Sequence, residues 1–208
     1  MLKCTHVVFD VDGTLVDSRM SALGSLQQVV EEYTGSRPSI EDLYFSTGIP
    51  GENALRKLCI TDPAALVRWR ELAGKLADQI TVFPGIVETL ECLQDLGCAL
   101  GIVSSRERGE YADEVTPLGL DPFFPVRILV EDTERHKPEP EPMLEYLRRT
   151  EAAPGETLYV GDTIYDMQCA RAAGVDFALA SWGAAQPVEG APHVLQEPED
   201  LAALLSAE

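Results

Sequence analysis

The feature that most constrains the fold is an alternation of strand-like and helix-like segments over residues 82–208. Apolar runs such as CALGIVSS (98–105) and TLYVGD (157–162) alternate with helical periodicity in segments such as IVETLECLQDLG (86–97) and IYDMQCARAAG (164–174). Strands that alternate with helices of this length form βαβ units around a parallel sheet. The sequence therefore predicts an α/β fold, with a Rossmann-like parallel sheet core flanked by helices.

Further elements of this alternation are expected on the same grounds. The additional predicted strands are 5–11, 126–130 and 175–180, and the additional predicted helices are 107–120, 139–150 and 198–205. The helix over 107–120 is expected to fray near Pro117, because proline breaks the helical hydrogen-bond pattern.

The segment between the first predicted strand and residue 82 has a different pattern. MSALGSLQQVVEEYTG (20–35) and DPAALVRWRELAGKLADQI (62–80) have helical periodicity, and strand signals are few. The expected organisation is a Rossmann-like catalytic core formed by residues 1–16 and 82–208, interrupted by a helical domain over residues 17–81.

Composition limits the classes of partner. The chain of 208 residues has 16 basic and 35 acidic residues and a net charge of −19, which argues against binding to nucleic acid or to an anionic membrane. The five cysteines form no CxxC pair, as expected of free thiols in a reducing compartment. No signal peptide or membrane span is found, and a cytoplasmic location is expected.

The first predicted strand raises a question of charge. In HVVFDVDGTLVDS (6–18), Asp10 and Asp12 lie within an apolar run, although burying an unpaired charge is unfavourable. Residues two apart in a strand point the same way, so the two carboxylates can address one centre. A ligand that completes the site would explain why the strand contains both.

Polar residues also follow other predicted strands. These residues are Ser104, Ser105, Asp162 and Asp166, and Lys137 precedes a helix. In a parallel α/β sheet, ligands bind beyond the carboxyl ends of the strands, so all these side chains are expected at one edge. Converging carboxylates without nearby His or Cys favour Mg²⁺. A hydroxyl, a lysine and the backbone amides of the turn at Gly13 suit a phosphate group.

Each residue taken singly has a structural explanation. An aspartate or serine after a strand commonly caps a turn or helix, Asp-Gly is ordinary turn chemistry, and a lysine before proline fits a solvated loop. The coincidence of all of them at one predicted edge favours a functional site.

Four motifs occur in a fixed order along the chain. They are DVDGT (10–14), the strand that ends in Ser104, Lys137 in HKPEPEP, and GDTIYD (161–166). Together they resemble the motifs of the haloacid dehalogenase-like (HAD) hydrolase superfamily. The insert at 17–81 resembles the α-helical cap of the subgroup that includes phosphoglycolate phosphatases.

The resemblance implies a role for each motif residue. Asp10 would be the nucleophile that forms an aspartyl-phosphate, and Asp12 the general acid-base. The substrate phosphate would contact Ser104, Ser105, Gly13 and Arg106, and Lys137 would neutralise the nucleophile-phosphate pair. Mg²⁺ would be held by Asp10, the backbone carbonyl of Asp12, and by Asp162 and Asp166 directly or through water.

The implied activity is a Mg²⁺-dependent phosphatase of a small phosphorylated metabolite, most similar to phosphoglycolate phosphatase. Asp12 argues against a dehalogenase, and the second acid of GDTIYD against a phosphohexomutase. A pyrophosphatase, a mutase and a catalytically idle binding module remain alternatives, and so do a monomer and a homodimer. Arg56 and Lys57 are further candidate anion-binding residues, and SWGA (181–184) resembles a segment of phosphoglycolate and pyrophosphate phosphatases.

Overall fold

A computed structural model of the protein describes residues 4–206. The strands are β1 (His6–Phe9), β2 (Val16–Asp17), β3 (Thr81–Val82), β4 (Ala99–Val103), β5 (Val126–Ile128), β6 (Thr157–Gly161), β7 (Asp176–Ala180) and β8 (His193–Leu195). The α-helices are α1 (Arg19–Thr34), α2 (Gly51–Lys57), α3 (Pro63–Gly74), α4 (Ile86–Asp95), α5 (Arg108–Glu110), α6 (Glu141–Thr150), α7 (Ile164–Ala173) and α8 (Asp200–Ser206).

Six strands form one parallel sheet in the order β5-β4-β1-β6-β7-β8. β1 lies between β4 and β6, with His6 paired to Ala99 on one side and to Thr157 on the other. The residues that follow these three neighbouring strands therefore meet at one edge of the sheet. This is the α/β architecture predicted from the alternation of elements.

The two faces of the sheet pack against different sets of helices. Successive strand residues point to opposite faces, and in β1 the side chains of Val7 and Phe9 join one hydrophobic cluster while Val8 joins another. The first cluster includes Leu90 of α4, and the second includes Met167 of α7. Because both faces are covered, the central strands β1, β4 and β6 are almost entirely buried.

The segment between β2 and β3 has a hydrophobic cluster of its own. Leu23, Leu26 and Val29 of α1 pack with Leu72 of α3. β2 and β3 run antiparallel, with Val16 paired to Val82, so the two chain connections to the sheet lie side by side. The predicted boundaries at 16/17 and 81/82 fall inside this strand pair, and the division of the chain into two domains stays a prediction.

Some local elements differ from the sequence predictions. The first strand was predicted over 5–11 but ends at Phe9, because the chain turns at the aspartates. The helix predicted over 107–120 is instead α5 followed by a wider π-helical turn at Tyr111–Val115 and a 3₁₀ turn at Thr116–Leu118. The proline inside that last turn cannot donate a backbone hydrogen bond. The strands β2, β3 and β8 were not predicted.

Within residues 4–206, every helix is too short or too polar to cross a lipid bilayer.

Candidate active site

Asp10, directly after β1, forms a buried ion pair with Lys137. The Lys137 Nζ lies 2.9 Å from Asp10 Oδ1 and 2.7 Å from Asp166 Oδ1, and all three side chains are almost completely buried. Burial raises the pKa of Asp10 to about 7 against the opposing charge of Lys137. Burial alone would lower the pKa of Lys137, but the two carboxylates outweigh it and raise that pKa. One lysine is thus shared between two carboxylates.

The Asp166 carboxylate is held by hydrogen bonds on both oxygens. Oδ1 accepts a bond from Lys137 and lies 3.0 Å from the Tyr159 hydroxyl. Oδ2 accepts bonds from the backbone N–H of Thr163, at 3.0 Å, and from its hydroxyl, at 2.5 Å. Thr163 and Asp166 form a capping box at the start of α7, which fixes the carboxylate in place. Asp166 therefore positions Lys137 with both oxygens already bonded.

The Asp162 carboxylate has an oxygen without a hydrogen-bond partner. Asp162 Oδ1 is buried without a hydrogen bond to any of residues 4–206. Burial and the neighbouring charges of Asp166 and Asp10 raise the pKa of Asp162 well above its ordinary value. Gly13, with φ +72°, leaves room for this carboxylate, because a Cβ there would clash with it. An orphaned buried carboxylate requires an explanation, and a cation is the simplest one.

The donor set fits a magnesium ion. Asp10, Asp162 and Asp166 each present a carboxylate oxygen within 4.8 Å of the others, and all three are buried. Hard oxygen ligands of this kind suit Mg²⁺. Since Asp166 is fully engaged by its own hydrogen bonds, Asp10 and Asp162 are the better candidates for direct ligands.

Asp12 is paired with an arginine that follows the second motif. The Arg106 Nε lies 2.8 Å from Asp12 Oδ2, and Nη2 lies 2.6 Å from Oδ1. Ser18 donates a further hydrogen bond to Asp12 Oδ1. The remaining nitrogen of the Arg106 guanidinium, Nη1, donates to Glu114 Oε2 at 2.6 Å. Burial raises the pKa of Asp12, but the charge and hydrogen bonds of Arg106 outweigh it and hold the pKa below the ordinary value.

The residues predicted to contact phosphate lie at the same edge of the sheet, but their polar groups form hydrogen bonds with other parts of the protein. Ser104 Oγ accepts a hydrogen bond from the backbone of Arg106, whereas Ser105 Oγ donates one to the carbonyl of Gly48, at 2.9 Å. The Gly13 N–H donates to the Val16 carbonyl. Arg106 is bonded to carboxylates, as described above. Phosphate contacts by these residues stay predictions.

Two of the other candidates, Arg56 and Lys57, lie outside the cavity that Asp10 lines. Arg56 is exposed and pairs with Glu52, and Lys57 lies over the ring of Tyr165. The SWGA segment packs directly on the aspartate turn. Trp182 Nε1 donates to the Thr14 carbonyl, and a Cβ at Gly183 would clash with the carbonyl of Gly13.

Sequence reasoning missed several residues that complete the site. They are Ser18, Glu114, Tyr159 and Thr163. The spacing of Thr163 and Asp166 at the start of a helix is a capping signal that could have been read. Tyr159 looks like an ordinary strand residue, and nothing in the sequence relates Glu114 to Arg106.

The fold and this acidic cluster define an α/β protein with a buried carboxylate site at the carboxyl edge of its parallel sheet. The profile of the family described as haloacid dehalogenase-like hydrolase matches residues 7–180. The chain belongs to the haloacid dehalogenase-like hydrolase family. This confirms the family predicted from the four motifs.

Curated relatives include proteins named pyrophosphatase PpaX. The protein of this name from Oceanobacillus iheyensis is 32% identical over 178 residues, which cover 85% of this chain and 83% of that one. The Bacillus mycoides protein is 28% identical over 99% of this chain and 98% of its own length. Among solved structures, a Lactobacillus plantarum protein provisionally named phosphoglycolate phosphatase has a TM-score of 0.89 at 30% identity, covering 97% of this chain and 99% of that one.

Proposed function

We propose that the protein is a Mg²⁺-dependent phosphatase that hydrolyses a small phosphorylated metabolite through an aspartyl-phosphate on Asp10. The observation that carries this proposal is the buried arrangement of Asp10, Lys137 and Asp166, with Asp12 two residues from the nucleophile. Segment 17–81 is proposed to be a cap that covers this centre. The Gly48 carbonyl of this segment accepts a hydrogen bond from Ser105, and Gly48 lies so close to Thr163 that a Cβ at Gly48 would clash with the threonine side chain.

The magnesium ion would be held by Asp10, Asp162 and the backbone carbonyl of Asp12, with Asp166 contacting it through water. The orphaned Oδ1 of Asp162 supports this choice. When bound, the ion supplies positive charge to the phosphoryl oxygens and screens the carboxylates from one another. The bond-making and proton-transfer steps are carried out by the side chains of the protein.

In the proposed first step, an oxygen of Asp10 bonds to phosphorus and the bond from phosphorus to the leaving oxygen breaks. Asp12 gives a proton to that oxygen. In the second step, Asp12 takes a proton from water, the water oxygen bonds to phosphorus, and the bond to Asp10 breaks, which releases phosphate. Lys137 stabilises the charge on Asp10 and on the phosphoryl group throughout, and positioning and charge stabilisation supply most of the catalysis.

Two alternatives use the same centre. The relatives named pyrophosphatase support inorganic pyrophosphate as the substrate. A phosphohexomutase would retain Asp10 and Asp12 but would return the phosphoryl group to a sugar. A catalytically idle module is opposed by the filled motif positions, all of which lie together at the sheet edge.

The proposal is tested by phosphate release from a panel of phosphoglycolate, pyrophosphate, hexose phosphates and nucleotides. Wild type is compared with Asp10→Asn in Mg²⁺ and in EDTA. We expect turnover by wild type that disappears in EDTA, returns with Mg²⁺ and is lost in Asp10→Asn without loss of the fold. Asp113→Asn, the same chemical change at an exposed carboxylate, should behave as wild type. Release by Asp10→Asn within tenfold of wild type would refute the covalent assignment, and no release from any compound would favour the idle module.

A further inference from the structure

A cavity of about 150 Å³ lies between the catalytic aspartates and the helical segment. Asp10, Asp12 and Asp162 line its inner end. A cavity of about this volume is large enough to hold a benzene-sized molecule in other proteins. The enclosed part of the site therefore fits a leaving group of roughly one ring or a short chain.

The outer wall of this cavity is mainly apolar. It is formed by Ala22, Leu23, Ile49, Leu66, Trp69 and Ala73. The Trp69 Nε1 already donates to the Ala22 carbonyl, at 3.1 Å, and to Ser25 Oγ, at 2.9 Å, so the indole offers the cavity its hydrocarbon surface. Leu66 and Trp69 pack beside Gly51, where a Cβ would come within 2.9 Å of the leucine.

Five hydroxyls also line the cavity, but their protons are already used. Ser18 donates to Asp12 and Ser105 to the Gly48 carbonyl, and the other three donate within the helical segment. Ser21 donates to the Ala73 carbonyl at 3.1 Å, Ser46 to the Leu43 carbonyl at 2.7 Å, and Thr47 to the Tyr44 carbonyl at 2.8 Å. A sugar requires several donors and acceptors, and buried polar groups left unpaired are unfavourable. The wall therefore suits a leaving group with few hydroxyls.

The arginines of the cavity differ in their partners. Arg106 is paired with Asp12 and Glu114, and Arg70 with Glu107 and Glu110. Arg19, by contrast, has no carboxylate partner within the part of the chain that the structure describes.

The side chain of Arg19 contacts a backbone oxygen instead: Nη2 lies 2.5 Å from the Gly183 carbonyl. Arg19 is half-buried and lines the same cavity. The cavity thus offers one guanidinium whose charge is not neutralised by a side chain. Pyrophosphate, whose leaving group is a second phosphate, would meet that one cation among the glutamates and apolar side chains of this wall.

We infer that the cavity binds an organic phosphate monoester whose leaving group has an apolar body against Trp69 and Leu66 and a single carboxylate at Arg19. This inference rests on the proposed phosphatase activity and specifies its substrate class. Arg19 is then a specificity-determining residue, because it selects the charged leaving group without contacting the reacting phosphorus.

The test compares kcat/KM for benzyl phosphate, its 3-carboxy and 4-carboxy derivatives, phosphoglycolate and pyrophosphate. The benzyl esters share one leaving-group chemistry, so differences among them report on binding of the carboxylate. We expect at least one carboxybenzyl ester to exceed both benzyl phosphate and pyrophosphate by tenfold or more. In Arg19→Gln, the carboxybenzyl-to-benzyl ratio should fall at least tenfold, through a rise in KM.

Two further variants complete the design. Arg37→Gln removes an exposed arginine that pairs with Glu31 outside the cavity, and it should keep the wild-type ratio. Leu66→Ser should lower the benzyl phosphate-to-phosphoglycolate ratio, with the unfolding temperature measured to confirm a folded protein. The corresponding carboxybenzyl phosphonates, which cannot be hydrolysed, should protect wild type against thermal unfolding more than Arg19→Gln.

The outcomes separate this inference from the proposed function. Two results would overturn the inferred substrate class while still supporting the proposed phosphatase. One is Asp10-dependent hydrolysis that is fastest with pyrophosphate, and the other is a preference for the carboxylate that is unchanged in Arg19→Gln. Equal phosphonate protection of wild type and Arg19→Gln overturns the Arg19 subsite without reference to turnover. Absence of hydrolysis of every compound, in contrast, counts against the phosphatase itself.

Discussion

Arg106 donates hydrogen bonds to both carboxylate oxygens of Asp12, at 2.8 and 2.6 Å. Arg106 is buried, and Glu114 occupies its remaining side. The pair holds Asp12 in its ionised form, because an adjacent guanidinium favours the charged carboxylate. A proton donor must carry the proton, so Asp12 has to take one up before the proposed first step. The ion pair makes this uptake less favourable and stabilises the ionised base that the second step requires.

Replacing Arg106 should move the pH profile. In Arg106→Gln, the pKa of Asp12 is expected to rise, since the largest influence that lowers it is removed while burial still raises it. The limb of the kcat profile that reports on Asp12 should therefore shift to higher pH, by about one unit for each 1.4 kcal/mol of lost interaction. Profiles of kcat against pH for both proteins provide the measurement.

The control for this change is Arg108→Gln, which removes an exposed pair with Asp132. The double variant Arg106→Gln/Glu114→Gln avoids leaving Glu114 without its partner and should show the same shift. An unchanged profile in both Arg106 variants would show that the ion pair does not control the protonation of Asp12.

The lysine shared by two carboxylates should contribute strongly to stability. Lys137→Met removes the charge at similar length and leaves Asp10 and Asp166 buried without a counterion. We expect the free energy of unfolding at neutral pH to fall by about 3 kcal/mol or more, the usual result of breaking a buried pair from one side. Urea denaturation measures it. The further substitution Asp10→Asn should recover part of the loss, and strictly additive losses would contradict the coupling.

Stability without magnesium should depend on pH through Asp10 and Asp162. Burial raises the pKa of Asp10 to about 7 from an ordinary value of 3.8, and it raises that of Asp162 in the same direction. Between pH 3.8 and about pH 7, the ordinary and the raised pKa of Asp10, the folded protein binds more protons than the unfolded chain. The free energy of unfolding therefore falls as the pH rises through this range. In EDTA, the unfolding temperature should decrease from about pH 5 to about pH 7.

Magnesium should reverse this loss, because a bound cation stabilises the ionised carboxylates. The stabilisation by Mg²⁺ is expected to be larger at about pH 7 than at about pH 5. Asp10→Asn should flatten the decrease in EDTA, whereas Asp113→Asn, which removes an exposed charge, should leave it in place. An unfolding temperature in EDTA that rises throughout this range would rule out raised pKa values in the folded protein.

Two glycines should respond to alanine in opposite ways. Gly183→Ala places a Cβ against the carbonyl of Gly13, and this backbone contact cannot be relieved by a side-chain rotation. The aspartate turn should therefore shift, with a loss of both activity and stability. Gly24→Ala introduces a Cβ into open space within α1 and should raise the free energy of unfolding by about 0.5–1 kcal/mol. Chemical denaturation and turnover of both variants check the contrast.

The fold and the meeting of the candidate site residues at one edge of the sheet could be predicted because both depend on local patterns. Parallel strands such as β4 and β6 read as apolar runs, and the residues that follow them meet at one edge by the geometry of the sheet. Asp10 and Asp162 were placed there because each follows a predicted strand. The role of Lys137 as the partner of Asp10 came from the resemblance, because the loop that contains this lysine has no regular pattern.

Other parts of the site depend on contacts between distant side chains. Arg106 was predicted to contact the substrate, but its pairing with Asp12 and Glu114 depends on the direction of three side chains that no spacing rule fixes. The short strand β8 at His193–Leu195 has only three residues, and Val194 is exposed, so it lacks a hydrophobic period. β8 forms in the folded protein because its backbone pairs with that of β7.

The antiparallel pair of β2 and β3 brings both ends of segment 17–81 to neighbouring positions, with Asp17 opposite Thr81. An insert whose entry and exit adjoin can be lengthened, shortened or exchanged without changing the register of the parallel sheet. Substrate choice and phosphoryl chemistry can then diverge independently over evolution. For engineering, the same geometry makes this strand pair the natural junction for transplanting a foreign helical segment onto an unchanged catalytic edge.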